Sequence, residues 1–236
     1  MKKFGFLILL SLFIIQCVTA QNTEYSVHLN SGLFSFGGES ATKSSIIIVS
    51  DIGSIDNYTN NPYGTESAFS YGMAAQIRRV TDRRLLAGLQ AGYEMLKSKV
   101  HINGVSGEYS VTPEVLDGHT VLSHGFMTLY PHLGKRFTFT KVEADLVIGP
   151  EFGFNTVTRE KGEANLGNNT TVETDTERNS PGTDIRITPS LTVYYNSWGI
   201  SAGYSYGLHN YSADLIGGNR ERYSRFFRFG ITYRIK

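Results

Sequence analysis

The chain has 236 residues, 22 basic against 21 acidic, with one cysteine, 25 glycines, 14 tyrosines and 14 phenylalanines. This balance excludes the basic footprint of a nucleic-acid-binding protein and a disulfide-stapled secreted scaffold. Its wealth of glycine and aromatic residues suits strands and turns rather than helices.

The first twenty residues, MKKFGFLILLSLFIIQCVTA, read as a secretory signal. Lys2 and Lys3 form a basic start, Phe4–Ile15 an apolar run, and Val18-Thr19-Ala20 a small-residue cleavage site before Gln21. The apolar run is shorter than the ~20 residues a membrane-spanning helix needs. Cys17 lies in the segment to be removed, and Gln16 before it does not suit a lipid-attachment site. Removal of Lys2 and Lys3 leaves 20 basic against 21 acidic residues. The expected organisation is a signal peptide over 1–20 and one β-barrel domain over 21–236.

From there the apolar residues recur with period 2, the mark of strands with one apolar face. "EYSVHLNSGLFSF" alternates through Tyr25, Val27 and Leu29, then changes phase near Leu33-Phe34, which suggests a bulge. "SAFSYGMAAQI" sets Phe69, Tyr71, Met73, Ala75 and Ile77 on one face; "LLAGLQAGYEM" does so with Leu85, Leu89, Ala91, Tyr93 and Met95. "GFMTLYPHLGKRF" places Met127, Leu129 and Leu133 together. "VEADLVIGPEFGF" opposes Ala144, Leu146, Ile148, Phe152 and Phe154 to Glu143, Asp145, Gly149, Glu151 and Gly153. "DIRITPSLTVYY", "WGISAGYSYGL" and the closing "RFFRFGITYRIK" follow the same rule.

Eight such segments, separated alternately by long polar stretches (38–66, 97–120, 156–183, 209–222) and short ones, describe an all-β, antiparallel, up-and-down barrel of eight strands. A water-soluble barrel or sandwich would also show one apolar face per strand. Two features favour a transmembrane β-barrel with the apolar face outward. The polar faces are rich in glycine (Gly72, Gly88, Gly92, Gly199, Gly203, Gly230), which weakens a solvated sheet but makes room in a narrow lumen. Outward aromatics fall near strand ends: Phe69, Tyr71, Tyr93, Tyr204 and Phe227 toward one rim, Tyr25, Tyr195, Trp198 and Tyr233 toward the other.

The whole segment after residue 20 resembles the small outer-membrane β-barrel proteins of Bacteroidetes, through "AGYEMLKSKV", "FMTLYPHLGKRF", "GYSYGLHNY" and the closing "RFGITYRIK". The last strand is similar to the C-terminal signal read by the outer-membrane assembly machinery, though Ile235-Lys236 stand where an aromatic residue usually ends it. The resemblance implies a location in the bacterial outer membrane after cleavage near Ala20-Gln21, with membrane lipid and the assembly machinery as partners. An extracellular ligand or protein at the long loops would be a further partner.

The lumen-facing charges are Arg78, Glu94, Glu143, Asp145, Glu151, Asp184, Arg186 and Arg228, with Arg234 near the end. Either they line an ion or solute path, or they pair with one another to fill the barrel; eight strands leave an interior just wide enough for side chains. Ser123-His124 is the one pairing that invites a hydrolase reading on outer-membrane lipid. Adjacent strand residues point to opposite faces, so no triad is expected. The six histidines lack the close pairs of a metal site, and no cofactor motif is present. "SSIIIVSD" in the first long connection suits either a strand beyond the barrel or an exposed edge for a partner. The expected function is a non-enzymatic anchor that displays interaction loops. The alternatives are a narrow pore and, more distantly, a lipid-modifying enzyme.

Overall fold

The computed structural model describes residues 22–50, 56–107, 114–167, 170–179, 182–213 and 221–235. The signal segment and the Asn168 and Asn169 region lie outside them. The described residues form eleven strands: β1 (Asn22–Gly37), β2 (Ser44–Ile48), β3 (Tyr58–Thr59), β4 (Glu66–Val80), β5 (Leu85–Ser106), β6 (Val115–Phe139), β7 (Val142–Leu166), β8 (Thr171–Glu177), β9 (Thr183–Tyr195), β10 (Trp198–Gly207) and β11 (Tyr223–Ile235).

Eight of these close a ring. Antiparallel ladders join β1 to β4, β4 to β5, β5 to β6, β6 to β7, β7 to β9, β9 to β10, β10 to β11, and β11 back to β1. Closure removes both sheet edges, which an open sheet would have to protect. The last ladder runs from Tyr25 opposite Ile235 to Gly37 opposite Tyr223 without interruption. The expected bulge near Leu33-Phe34 is therefore absent. Alternation persists there, but the inward residues change from Ser26, His28 and Asn30 to Phe34 and Phe36.

The ring wears its apolar residues outside. Leu29, Met73 and Ile200 are 64, 63 and 72% exposed, while inward Arg78, Glu94 and Arg186 are at most 3% exposed. Outward apolar positions on β6 run from Phe139 up to Met127, which at strand rise and usual barrel tilt is a belt of about 30 Å. The inward glycines are explained by their neighbours. A Cβ on Gly88 would meet His132 Nε2 at 2.5 Å, and one on Gly199 would meet the Tyr194 ring at 2.8 Å.

The wall has uneven height. β6 and β7 are 25 residues each, whereas β10 has 10 and β11 has 13. Segments 97–120 and 156–183, expected as loops, are largely continuations of β5, β6 and β7, capped by β8. Their alternation was hidden because the outward side there is polar: Lys97, Lys99 and Asn103 oppose inward Leu96, Val100 and Ile102. The "SSIIIVSD" segment supplies β2, which pairs parallel with β5 and antiparallel with β3, and its Ile47 is wholly buried. It is a strand of the extension rather than a bare edge.

Candidate functional site

The lumen is best described from the short-turn end upward. The first layer is an ion lattice in which Arg78 reaches Glu24 at 3.0 Å and Asp145 at 2.9 Å, and Arg136 reaches the same two carboxylates at 2.7 Å each. Arg234 meets Glu143 at 2.5 Å and lies over the Tyr194 ring, 3.9 Å from its centre. Glu143 is half-buried at the rim of an open vestibule of about 680 Å³, whose floor this lattice forms.

The second layer sits higher. Arg186, fully buried, bonds Asp184 at 2.6 Å, Glu151 at 2.7 Å and Glu94 at 3.2 Å. Arg228 bridges Glu94 at 2.6 Å and Glu151 at 2.9 Å. The two guanidiniums also cover the rings of Phe126 and Phe226. Each buried carboxylate thus has a cation, the condition under which ionised groups survive in a dry interior. Between the layers, beside His28, Gln76, Gln90 and Tyr130, remains a cavity of about 30 Å³. That is room for about one water molecule.

The third layer is apolar. Phe34, Phe36, Leu96, Leu122, Phe126, Tyr211 and Phe226 pack into one buried cluster against Tyr63. Phe36 makes edge-on contacts with Phe34 and Tyr63 at 5.1 Å and with Tyr211 at 5.2 Å. Arg222 lies 4.3 Å over the Tyr63 ring, closing the plug from above. Burial raises the Tyr63 phenol above its ordinary value, so it stays neutral.

Of the lumen charges named from sequence, all eight lie inside the barrel, and the structure divides them between the two layers: Arg78, Glu143 and Asp145 below, Glu94, Glu151, Asp184, Arg186 and Arg228 above. Glu24 and Arg136 complete the lower lattice and escaped the sequence reading. Parity held their signal, since Tyr25 and Val27 outward put Glu24 inward, and Leu133 outward puts Arg136 inward. Ser123 and His124 part company. Ser123 lies in an open outer groove of about 480 Å³, while His124 is wholly buried with Nδ1 2.9 Å from Thr158 Oγ1. Among the described residues no acid orients a Ser123–His124 pair.

At the level of the plug, beside Phe126, a bulge re-aims β7. Asn155 and Val157 pair with Phe126 and Gly125, so Thr156 is the extra residue, and its hydroxyl donates to Gly125 O at 3.1 Å. Below it odd-numbered residues face inward (Asp145, Glu151); above it even-numbered ones do (Thr158, Glu160, Ala164, Leu166). The re-aimed side joins Ile47, Val100, Ile102, Val105 and Val172 in a second core. Glu160, wholly buried, fastens this extension: it accepts from Thr59 N and from Arg178 Nε, both at 2.6 Å. Arg178 in turn donates to Thr59 O and lies over the Tyr58 ring. β3, only two residues long, is thereby clasped to β7 and β8.

The chain is similar in fold to several solved structures, three of which follow. One is Ail, the attachment invasion locus protein of Yersinia pestis, in complex with the heparin analogue sucrose octasulfate, at 11% identity over 90% of this chain and 97% of that one, TM-score 0.35. The second is Neisserial surface protein A, at 11% identity over 90% and 99%, TM-score 0.38. The third is the translocator domain of the autotransporter NalP from Neisseria meningitidis, at 12% identity over 98% and 96%, TM-score 0.31. Likeness at this level carries no residue role across. No protein-family model matches the chain, and no curated protein matches it.

Proposed function

We propose that this chain is an anchor in the outer membrane of a Gram-negative bacterium, exported through residues 1–20, whose tall β2–β3 and β5–β8 wall is an extracellular interaction platform. The apolar belt supports the membrane setting: fully exposing a Leu- or Ile-sized side chain to water forgoes ~1.5–3 kcal/mol, and the ring does so on strand after strand. The short turns then face the periplasm, and the resemblance to small barrels of Bacteroidetes agrees with this setting.

The observation that carries the anchor reading over the pore is the stacked filling of the lumen, two ion lattices and an aromatic plug with about 30 Å³ left between charges. Passage of a hydrated ion would have to break several buried pairs at once. The test is planar-bilayer conductance of the purified protein, with a heat-shift gel verifying folding. A folded, silent barrel is expected; discrete steps reduced by Arg186→Gln would install the pore reading instead. Removal of residues 44–60 is then expected to abolish partner binding while leaving the heat shift intact.

A further inference from the structure

Charge is distributed unevenly around the short-turn rim. On the side of β4 to β7 stand the exposed cations Arg83, Arg84, Lys135 and Lys141, with Arg79 beside them, and Asp82 is the single exposed carboxylate there. Arg83, Arg84, Lys135 and Lys141 form no ion pair among the described residues. The nearby carboxylates Glu24, Glu143 and Asp145 are held by Arg78, Arg136 and Arg234. On the opposite side, where β9 turns into β10 beside the β1–β11 seam, the exposed residues among those described are Asn22, Thr23, Tyr195, Asn196, Trp198 and Ile235, none of them charged. Among the described residues the tall end offers no such excess: its outward Lys97, Lys99, Arg159 and Lys161 are accompanied by the exposed carboxylates Glu66, Glu163, Glu173 and Asp175, the last engaging Arg159 and Lys161 at 2.6 and 3.3 Å.

Backbone geometry at the rim adds an independent observation. The β4–β5 turn is pinned by Thr81, whose amide donates to Leu85 O and whose carbonyl accepts from Arg84 N. This geometry puts Arg84 at φ 60°, the left-handed region that favours Gly or Asn; the β9–β10 turn places Asn196 there, at φ 56°. An arginine kept at a strained position, exposed and without an ion pair among the described residues, has its use outside the chain. Finally, Lys135 projects from the belt itself, its ammonium 5.9 Å over the Phe137 ring, and Phe137 and Phe139 remain exposed on the same face. Cations interleaved with interfacial aromatics at the edge of an apolar belt suit a lipid headgroup: ammonium to phosphate, ring and stem to glycerol and acyl chain.

We infer that this rim, from β4 to β7, is a binding site for anionic phospholipids of the inner leaflet. The inference rests on the membrane orientation proposed above. The site gives the barrel one side with a negatively charged lipid annulus and one without.

The test is spin-label lipid selectivity with the full protein in phosphatidylcholine bilayers, comparing labelled phosphatidylglycerol with labelled phosphatidylcholine. At low salt the wild type should prefer phosphatidylglycerol by about three- to ten-fold, and added salt should erode that preference. R83Q/R84N/K135Q/K141Q should bring it close to one. R84N alone should lower it in part while resisting denaturant as well as wild type or better, because Asn suits the turn; that separates lost binding from lost folding. K97Q/K99Q, at the other end, should leave it unchanged. A wild-type ratio of one overturns the inference, as does a preference that survives the four-fold variant or disappears in K97Q/K99Q. Failure of the protein to float with vesicles would instead overturn the membrane setting itself.

Discussion

β5 carries two opposite wirings on one strand. Up to Met95 it turns Leu85, Leu89, Ala91 and Tyr93 outward and Gln90 and Glu94 inward; beyond it, Lys97, Lys99 and Asn103 point outward and Leu96, Val100 and Ile102 inward. β7 makes the same exchange through the Thr156 bulge. Below the exchange, the buried interior is polar and held by charge pairing; above it, the interior is apolar and held by burial. The β5–β6 ladder runs through Met95 without a shift, so the inversion on β5 is a response to what lies outside the wall: an apolar medium below, water above. The plug of Phe34, Phe36 and Phe126 sits where the two interiors meet.

The largest break in this comparison comes from the polar interior. Arg186→Leu leaves Glu94, Glu151 and Asp184 with one cation fewer, in a site with no access to water. Removing one partner from a buried pair costs ~3–5 kcal/mol. We expect a matching drop in urea resistance, read by the heat-shifted band, and partial recovery in an Arg186→Leu/Asp184→Asn double variant, which restores the charge balance. Next comes the outer surface of the belt. Leu146→Arg, outward and 51% exposed at mid-belt, should cost ~2–4 kcal/mol of refolding stability in lipid. Above the exchange, Val121→Arg at an outward position of β6 should be near neutral in the same assay.

The fate of the sequence reading follows the same divide. All eight ring strands and most of their lumen charges were legible, though not Glu24 and Arg136, because one continuous apolar side makes period 2 visible, as in Ala144, Leu146, Ile148 and Phe152. The extension was not, for a physical reason. Its strands keep the same period but exchange the faces, and at Thr156 an inserted residue shifts parity, so an eye following the outward apolar row sees it end in a polar loop. β3 was beyond reach. Two residues held by Glu160 and Arg178 carry no periodic signal, and that clasp joins positions 101 residues apart in the chain.

The clasp supplies the next smaller effect. Glu160→Ala strips the buried Thr59 amide of its acceptor and Arg178 of its counter-ion. The cost of such an orphaned buried group, ~1–3 kcal/mol, should fall on the extension alone. Hydrogen exchange at Thr59 and along β8 should accelerate by tens of fold, while the β1–β11 ladder and the heat shift remain unchanged. Faster exchange in the β1–β11 ladder as well would mean that the two regions unfold as one unit.

The smallest effect is the most discriminating about what surrounds the extension. Arg159 and Lys161 lower the Asp175 carboxyl below its ordinary range through hydrogen bonding and charge. A carboxyl depressed in the folded state stabilises it above the unfolded value, and that contribution is lost as pH falls through the folded one. Since the pair stands in water, salt screens it and the loss should be slight. Asp175→Asn is therefore expected to shift β8 hydrogen exchange by less than about two-fold at neutral pH, a difference that vanishes in high salt or acid. A large, salt-insensitive loss would mean that the outward face of β7 and β8 is covered by lipid or a neighbouring chain rather than water. The exchange of faces at Met95 could then no longer mark the top of the belt.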